Sequence, residues 1–358
     1  MVAVSDFDFA AELSRYFAIG TIVFSFLYMG QRQYINIHGP IVGSLVDLTF
    51  RLINMLIASW IVILVFYLME IHLRFAFLII GLKLSESIVD YMFGFLNYNY
   101  GFVRGSVKYF ILTSLRLLVI ILIFLICAFT ANWKLDDIVD YTIPLLLVFG
   151  VVSYAYHFCF STQGNLKHLN YIFILKKLFP FSLSASLCAF LVLAPRWLVS
   201  PDSDGDGANE FLVAFSLVPL FGIALNTLFV SYISLAKDSL KKAYVRLIII
   251  IFLFSLLFIS LMPFQIYLYG FLYGLDALGA GKFSEAIFLG FVFYSAILFA
   301  NFFKFYNPFF ESLCYLLGIV ILIFASTLQL NMSSAIILSS SAMMLFSLLS
   351  LNSKNEKN

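Results

Sequence analysis

Charged and polar side chains interrupt one of the long apolar segments of this sequence. A helix through that segment would carry Lys83, Ser87, Asp90 and Gly94 on a single face, because their spacings of four, three and four residues match the helical period. Glu86 would lie beside the same face. The Lys83 ammonium could attract an anion, and the carboxylates of Glu86 and Asp90 could take up and release protons.

Two interpretations of this polar face stay open. Charged groups inside a membrane are costly and normally face a cavity or a partner. In the first interpretation the face lines a central cavity, in which Lys83, roughly 13 Å from the outer end of the helix, attracts a substrate and Glu86 and Asp90 couple transport to protons. In the second, Lys83 and Glu86 form an internal ion pair that holds two helices together.

Three further residues are candidates for the same roles. Arg116 lies about two turns from one end of its apolar segment, where it could line the cavity and bind phosphate or extend to the membrane interface. Arg196 lies close to the end of another segment, where extension to the interface is the alternative to substrate binding. His157 lies among tyrosines, so it could relay protons or form an ordinary hydrogen bond.

The other motifs argue against metal, cofactor and nucleic-acid chemistry. The four cysteines lie in apolar runs without a ligand spacing, so we interpret Cys127, Cys159, Cys188 and Cys314 as packing residues. The acidic turn 202–207 imitates the start of an EF-hand loop, but Val213 stands where the closing glutamate would be. The sequence has no phosphate-binding P-loop motif and no basic tract interleaved with aromatic residues. We therefore expect no enzymatic activity, no catalytic residue, no metal, no cofactor and no nucleic-acid partner.

The elements that must position these residues are membrane-spanning helices. Of the 358 residues 63% are hydrophobic and 11% are charged, whereas soluble domains carry about 25% charged residues. Apolar runs near the length that crosses a bilayer recur along the chain. We predict an all-α polytopic membrane protein with about eleven spans, near 13–30, 52–69, 75–96, 109–129, 142–161, 178–199, 211–235, 247–269, 286–303, 312–330 and 333–350. The longest predicted loops are 31–51 and 162–177.

Lysine and arginine residues cluster on alternate connections between these spans. The basic connections hold Arg32, Arg104, Lys108, Lys167, Lys176, Lys177, Lys237, Lys241, Lys242, Arg246 and Lys304, and the tail holds Lys354 and Lys357. The other set holds few basic residues and several aspartates. Because short basic loops stay in the cytoplasm, we predict a cytoplasmic C-terminus and an external N-terminus. A further helix before Met1 would explain the external N-terminus, since no signal peptide precedes the first span.

Three stretches carry a resemblance to a known family. They are Asp6–Leu13 with Tyr16–Gly30 and Gln31–Gln33; Phe93–Lys108 leading to Arg116; and Lys176–Leu183 with Arg196–Leu198 and Asn209–Phe211. Their order resembles bacterial Wzx-type polysaccharide flippases, which move O-antigen or capsule repeat units and belong to the multidrug/oligosaccharidyl-lipid/polysaccharide exporter superfamily. The chain departs from that family by lacking the first of twelve helices. It also has Pro195 where the family often has an acidic residue.

The resemblance implies a fold of two helix bundles. We expect an N-terminal bundle of about five spans in 1–161, a cytoplasmic linker in 162–177, a C-terminal bundle of about six spans in 178–350 and a cytoplasmic tail in 351–358. It implies a transporter of the bacterial inner membrane that flips undecaprenyl-diphosphate-linked oligosaccharide by alternating access, for lipopolysaccharide or capsule synthesis. Its expected partners are that lipid-linked oligosaccharide, membrane lipid, and polysaccharide polymerase and chain-length proteins.

Within this resemblance, Lys83, Arg116 and Arg196 would meet the substrate's diphosphate, and Glu86, Asp90 and His157 would couple protons. Two other classes of function stay open. One is a membrane enzyme, such as a polysaccharide polymerase, ligase or acyltransferase, although the short acidic outer loops and the absence of a clear His–Arg pairing argue against it. The other is an exporter of drugs or small amphiphiles within the same superfamily.

Overall fold

The structure, a computed structural model, describes six stretches of the chain. They are residues 7–27, 30–101, 170–199, 208–215, 240–301 and 308–354, with the single residues 104, 107, 114, 143, 144, 146, 148, 152 and 218. Within these residues the chain is helical and contains no strand. The predicted all-α class is therefore confirmed for the part of the chain that the structure describes.

Ten helices can be given bounds within these stretches. They are α1 Phe7–Leu27, α2 Gln31–His38, α3 Ser44–Leu68, α4 Leu73–Tyr100, α5 Tyr171–Leu198, α6 Leu240–Ser260, α7 Met262–Tyr273, α8 Ala277–Asn301, α9 Pro308–Thr327 and α10 Met332–Lys354. Residues 208–215 are also helical.

Several of these helices are long and apolar enough to cross a membrane. Among the described residues, five qualify individually: Ser44–Leu68, Tyr171–Leu198, Ala277–Asn301, Phe309–Thr327 and Met332–Leu349. A sixth crossing would combine Val245–Ser260 with Met262–Tyr273, which meet at a 60° bend. Large apolar side chains also face outward, including Trp60, which is 72% exposed, and Phe252, which is 60% exposed. A surface of this kind is suited to lipid, and the chain is a multi-pass membrane protein.

The exact layout of about eleven spans stays a prediction. The predicted spans 109–129 and 142–161 fall almost wholly outside the described residues, and only the first part of 211–235 lies within them. The linker 162–177 is described from residue 170 onward. The division into bundles at 1–161 and 178–350 is likewise untested.

The sequence-based prediction of a loop over residues 31–51 is wrong. Gln31–His38 forms α2, and α3 begins at Ser44 rather than near residue 52. The polar residues that signalled a loop instead lie inside the fold, where Gln31 and Asp47 are 0% exposed and Arg51 is 1% exposed. Helix α5 also begins seven residues earlier than the predicted span at 178, so Lys176 and Lys177 belong to it.

The chain forms two compact units. The first comprises Met1–Ala18 with Leu187–Asn358, and the second comprises Ile19–Ser186. In the first unit α8 packs against α7, α9 and α10 around buried apolar residues that include Phe215, Phe293 and Tyr315. Helices α9 and α10 also pack against each other, and they are close at Gly318 on α9, where an added Cβ would lie 2.7 Å from the Met343 sulfur on α10.

The second unit packs α4 against both α2 and α3. Two glycines allow its polypeptide segments to approach closely. A Cβ added to Gly94 on α4 would lie 2.9 Å from the carbonyl oxygen of Arg32 on α2. Gly30, immediately before α2, has a left-handed φ of 57°, and a Cβ there would lie 2.6 Å from the backbone of Phe181 on α5. The backbone of α2 is therefore held against α4 and α5 by two positions that lack a side chain.

Candidate functional site

A partly buried cluster of charged groups joins three helices of the second unit. Asp90 on α4 accepts a hydrogen bond from Arg32 Nη1 on α2 at 2.6 Å through Oδ1. Its other oxygen, Oδ2, accepts one from Arg51 Nη2 on α3 at 2.9 Å. Arg51 Nε also donates to the Ser87 hydroxyl oxygen at 2.8 Å. Two guanidinium groups thus converge on one carboxylate, and we call these four residues the Asp90 cluster.

Burial increases from one side of the cluster to the other. The side chain of Arg32 is 34% exposed, that of Asp90 is 17% exposed, and that of Arg51 is completely buried. Ser87 is also completely buried. A guanidinium group in such a position needs a negative partner, and Asp90 provides one. The Arg32–Asp90 half, in contrast, is within reach of groups from outside the protein.

The sequence positions these groups through helical spacing. Ser87 and Asp90 are three residues apart on α4, so both point toward α3, where Arg51 meets them. Gly94, one turn further along, admits the backbone of Arg32. The Arg32 guanidinium also lies 5.6 Å from the centre of the Phe93 ring, in cation–π range.

A second polar pair lies at the start of α3. The Gln31 side-chain nitrogen donates to the backbone oxygen of Asp47 at 2.8 Å. One carboxylate oxygen of Asp47, Oδ2, accepts the Ile41 backbone N–H at 2.7 Å. Gln31 and Asp47 are both fully buried. Within the described residues Gln31 Oε1 and Asp47 Oδ1 are buried and have no hydrogen-bond partner.

The sequence-predicted residues of the polar helix face lie in different surroundings. Lys83 Nζ is 2.7 Å from Glu86 Oε2 in the same helix, α4, with exposed fractions of 13% and 44%. Asp90 belongs to the Asp90 cluster. The Lys83–Glu86 pair is therefore formed, as the second interpretation of this face required, but within one helix. The hypotheses of substrate binding by Lys83 and proton coupling by Glu86 and Asp90 stay predictions.

Of the three other predicted site residues, the structure describes only Arg196. Arg196 lies near the end of α5 in the first unit and is 7% exposed, with a buried Nε atom that has no hydrogen-bond partner among the described residues. Its guanidinium interacts electrostatically with Tyr294 on α8. Arg196 is thus buried in its unit rather than extended to the interface. Arg116 and His157 lie outside the described residues.

The sequence analysis missed Arg51, Arg32 and Asp47. Arg51 and Asp47 were assigned to a loop, and Arg32 was used only as a marker of orientation. The sequence does contain a pattern that indicates a helix through Asp47 and Arg51. Asp47, Arg51 and Asn54 are separated by four and then three residues, and this spacing extends the helical period of α3 toward its N-terminus. All three are buried. Asn54 also accepts a 2.7 Å hydrogen bond from the Tyr171 hydroxyl on α5.

The Asp90 cluster is suited to binding an anion, or to a switch in which an arginine–Asp90 ion pair breaks, rather than to holding a metal. Carboxylate and phosphate present similar oxygen geometry to arginine, so a phosphoryl group could take the place of Asp90 between Arg32 and Arg51. In the described part of the chain no group of three or more His, Cys, Asp or Glu residues could hold a metal ion. The acidic turn 202–207 lies outside that part.

The helices and the Asp90 cluster together define a multi-pass membrane protein with polar groups held between its helices. No family model, no curated protein and no solved structure matches this chain. The likeness to polysaccharide flippases therefore depends on the order and pattern of residues in the sequence. The activity, the substrate and the specific membrane follow below as a proposal.

Proposed function

We propose that this protein is a transporter of the bacterial inner membrane that flips an undecaprenyl-diphosphate-linked oligosaccharide by alternating access. The product would enter the synthesis of a surface polysaccharide, such as O-antigen or capsule. The proposal is supported by the multi-pass helical architecture and by the resemblance in sequence. It assigns no enzymatic activity to the chain.

The Asp90 cluster is the observation that carries the proposal. Charged residues within a membrane unit are kept at substrate pathways and conformational switches, because each is costly to bury. Two arginines that converge on one carboxylate form a site in which an incoming diphosphate can compete with Asp90. Exchange of Asp90 for phosphate at Arg32 would loosen α2 from α4, and this links substrate binding to a change in packing.

The bent helix pair gives further support. Helices α6 and α7 meet at 60° around Leu261, and Pro263 lies at the start of α7. Interrupted helices of this kind are common in transporters, where they supply bends and backbone polar groups within the membrane. The side-chain oxygen Oε1 of Gln265 on α7 accepts a 2.8 Å hydrogen bond from the Ser284 hydroxyl on α8, which holds the second half of the pair.

A genetic experiment tests the proposed function. The gene is deleted in its source bacterium, and lipid-linked glycan and surface polysaccharide are measured. The strain is then complemented with the native chain, with Arg51→Ala and with the control variant Lys282→Ala. Lys282 forms a half-exposed pair with Glu285 at 3.4 Å, outside the Asp90 cluster. Immunoblots of the membrane fraction verify that each variant is present.

The proposal predicts that deletion leaves lipid-linked glycan in the inner leaflet and removes surface polysaccharide. The native chain and Lys282→Ala should restore the surface polymer, and Arg51→Ala should not. Unchanged surface polysaccharide after deletion would contradict the proposal. Glycan that reaches the outer leaflet but stays unpolymerised would indicate a polymerase instead.

A further inference from the structure

Two buried acceptor oxygen atoms lie close to each other in sequence and fold, one at the start of α2 and one in the first turn of α3. They are Gln31 Oε1 and Asp47 Oδ1, which have no hydrogen-bond partner within the described residues. Their residues are neighbours, since the Gln31 amide nitrogen donates to the Asp47 backbone oxygen at 2.8 Å. That bond fixes the orientation of the amide, because a reversed amide would place two oxygens face to face.

Two buried acceptors without partners are costly, and no donor or positively charged group in the described part of the chain reaches them. Leaving a buried polar atom without its hydrogen bond is unfavourable, and burying an unpaired carboxylate is more so. The Asp47 carboxyl receives backbone N–H groups of Ile41 and Val42, which satisfy only part of a negative charge. A proton on Asp47 would remove that charge and supply a donor for a buried acceptor such as Gln31 Oε1.

The charged groups around Asp47 do not supply the missing partner. The ionisable residues on the surrounding elements include Arg32, Tyr34 and His38 on α2, Arg51 on α3, Lys83, Glu86, Asp90 and Tyr91 on α4 and Tyr171, Lys176 and Lys177 on α5. Asp90 binds both arginines, Tyr91 donates to the Ser44 carbonyl, and Tyr171 donates to Asn54. The Tyr34 and His38 rings contact each other at a tilt, and both contact the Phe181 ring edge to face. Within the described residues no hydrogen bond or ion pair joins any of these side chains to the Asp47 carboxyl.

A proton fits this position better than a metal cation does. A bound alkali or alkaline-earth ion takes about six oxygen ligands, whereas here two side-chain oxygens are left without partners. The Asp47 Oδ2 atom is already used by the Ile41 N–H. A single proton needs only one oxygen to carry it and one oxygen to accept it, and Asp47 and Gln31 provide one each.

We propose that Asp47 and Gln31 form a proton-binding site in which the folded protein holds Asp47 as a neutral carboxylic acid. Proton binding converts the Asp47 carboxylate into an acid whose O–H is donated to a buried acceptor. Release of the proton leaves a buried anion and weakens the contact between α2 and α3. The next residue along α2 is Arg32, which binds Asp90, so loss of the proton would also disturb the Asp90 cluster. This last consequence, coupling to transport, rests on the proposed function, but the proton site itself does not.

Thermal unfolding of the purified full-length protein in detergent tests the site without any substrate. The melting temperature of the native chain, Asp47→Asn and Asp276→Asn is measured from about pH 5 to about pH 9, a range that spans known buried carboxyl groups. Asparagine imitates the protonated acid, since its oxygen can accept the Ile41 N–H and its nitrogen can donate to Gln31. Asp276 is the matched control, because its carboxylate also accepts a backbone N–H, that of Gly279 at 2.7 Å, but the residue is exposed.

The proposal predicts the direction in which the stability of the protein changes with pH. In the unfolded chain the carboxyl ionises at low pH, so the stability from a protonated Asp47 is present at low pH and is lost as the pH rises. The native chain and Asp276→Asn should both melt roughly 2 °C lower at the alkaline end, and Asp47→Asn should change by less than half as much. Asp47→Asn should also melt at least as high as the native chain at the alkaline end.

Three results would overturn the proposal. Parallel pH profiles of the native chain and Asp47→Asn would show that Asp47 does not titrate in this range. A lower melting temperature of Asp47→Asn at every pH would show that the ionised carboxylate is the native form. Stabilisation of the native chain, but not of Asp47→Asn, when sodium replaces choline would show a sodium site. Because none of these readouts uses transport, they succeed or fail independently of the proposed function.

Discussion

Arg51 and Asp90 form an ion pair that joins α3 to α4, with 2.9 Å between Arg51 Nη2 and Asp90 Oδ2. The Arg51 side chain is fully buried, so its charge is compensated by groups of the protein rather than by water. Arg32 reaches the other oxygen of the same carboxylate from α2. One carboxylate therefore links three helices, so substitution of either arginine should also weaken the contact that the other arginine makes with Asp90.

Removing one partner of this pair should destabilise the protein strongly. Arg51→Ala leaves Asp90 with one of its two cationic partners, and Asp90→Ala leaves a buried guanidinium without its carboxylate. We expect each to lower the free energy of unfolding by about 3–5 kcal/mol. The double variant should lose clearly less than the sum of the two. Denaturant or thermal unfolding in detergent gives the four values, and strict additivity would show that the pair contributes no coupling.

Two ion pairs of the same spacing allow a matched test of Lys83. Lys83–Glu86 and Lys282–Glu285 are both i,i+3 pairs, at 2.7 Å and 3.4 Å, but Lys83 is 13% exposed and Lys282 is 32% exposed. If Lys83 binds the substrate's diphosphate, Lys83→Ala should reduce transport roughly tenfold or more, as expected from loss of one charged hydrogen bond. Lys282→Ala should transport like the native chain. Equal activity of both variants in the complementation assay would leave Lys83 with a structural role alone.

Substitution of two glycines that have a left-handed backbone allows the cost of backbone strain to be measured apart from the cost of a steric clash. Gly30 and Gly274 have φ values of 57° and 67°, but a Cβ on Gly30 would lie 2.6 Å from the Phe181 backbone and a Cβ on Gly274 would meet nothing within 4 Å. Gly274→Ala should therefore cost about 1–2 kcal/mol of folding free energy from the backbone alone. Gly30→Ala should cost several kcal/mol more and lower the yield of folded protein. Equal melting temperatures of the two variants would contradict the close approach of Gly30 to α5.

Apolar patterning predicted the membrane helices that the structure describes, but not their ends. The hydropathy pattern predicted that the second span begins near residue 52, with Asp47 and Arg51 in the preceding loop. In the structure, α3 begins at Ser44 and includes both residues. A hydropathy pattern records whether a side chain is polar and does not record whether another side chain will satisfy it. Arg51 donates hydrogen bonds to Asp90 and Ser87, which are 39 and 36 positions away in the chain.

Only some of the candidate site residues could be predicted, because the sequence pattern does not show which side chains of different helices meet. Helical spacing placed Ser87 and Asp90 on a shared face of α4, and both belong to the Asp90 cluster. The spacing within one helix could not identify Arg32 and Arg51 as their partners, because these belong to other helices. Arg196 illustrates the reverse case, since a position near a helix end favoured extension to the interface, while tertiary packing buries it beside Tyr294.

A flipping assay in liposomes measures the proposed transport of the lipid-linked oligosaccharide itself. The purified protein is reconstituted with a fluorescent undecaprenyl-diphosphate-linked oligosaccharide, and the fraction that a membrane-impermeant reagent can reach is followed over time. Vesicles without protein and vesicles with Arg51→Ala serve as controls, with folding of the variant verified by its elution as a single species in detergent. The account predicts that only the native chain makes the inner-leaflet substrate accessible. The same slow accessibility in native and protein-free vesicles would contradict it.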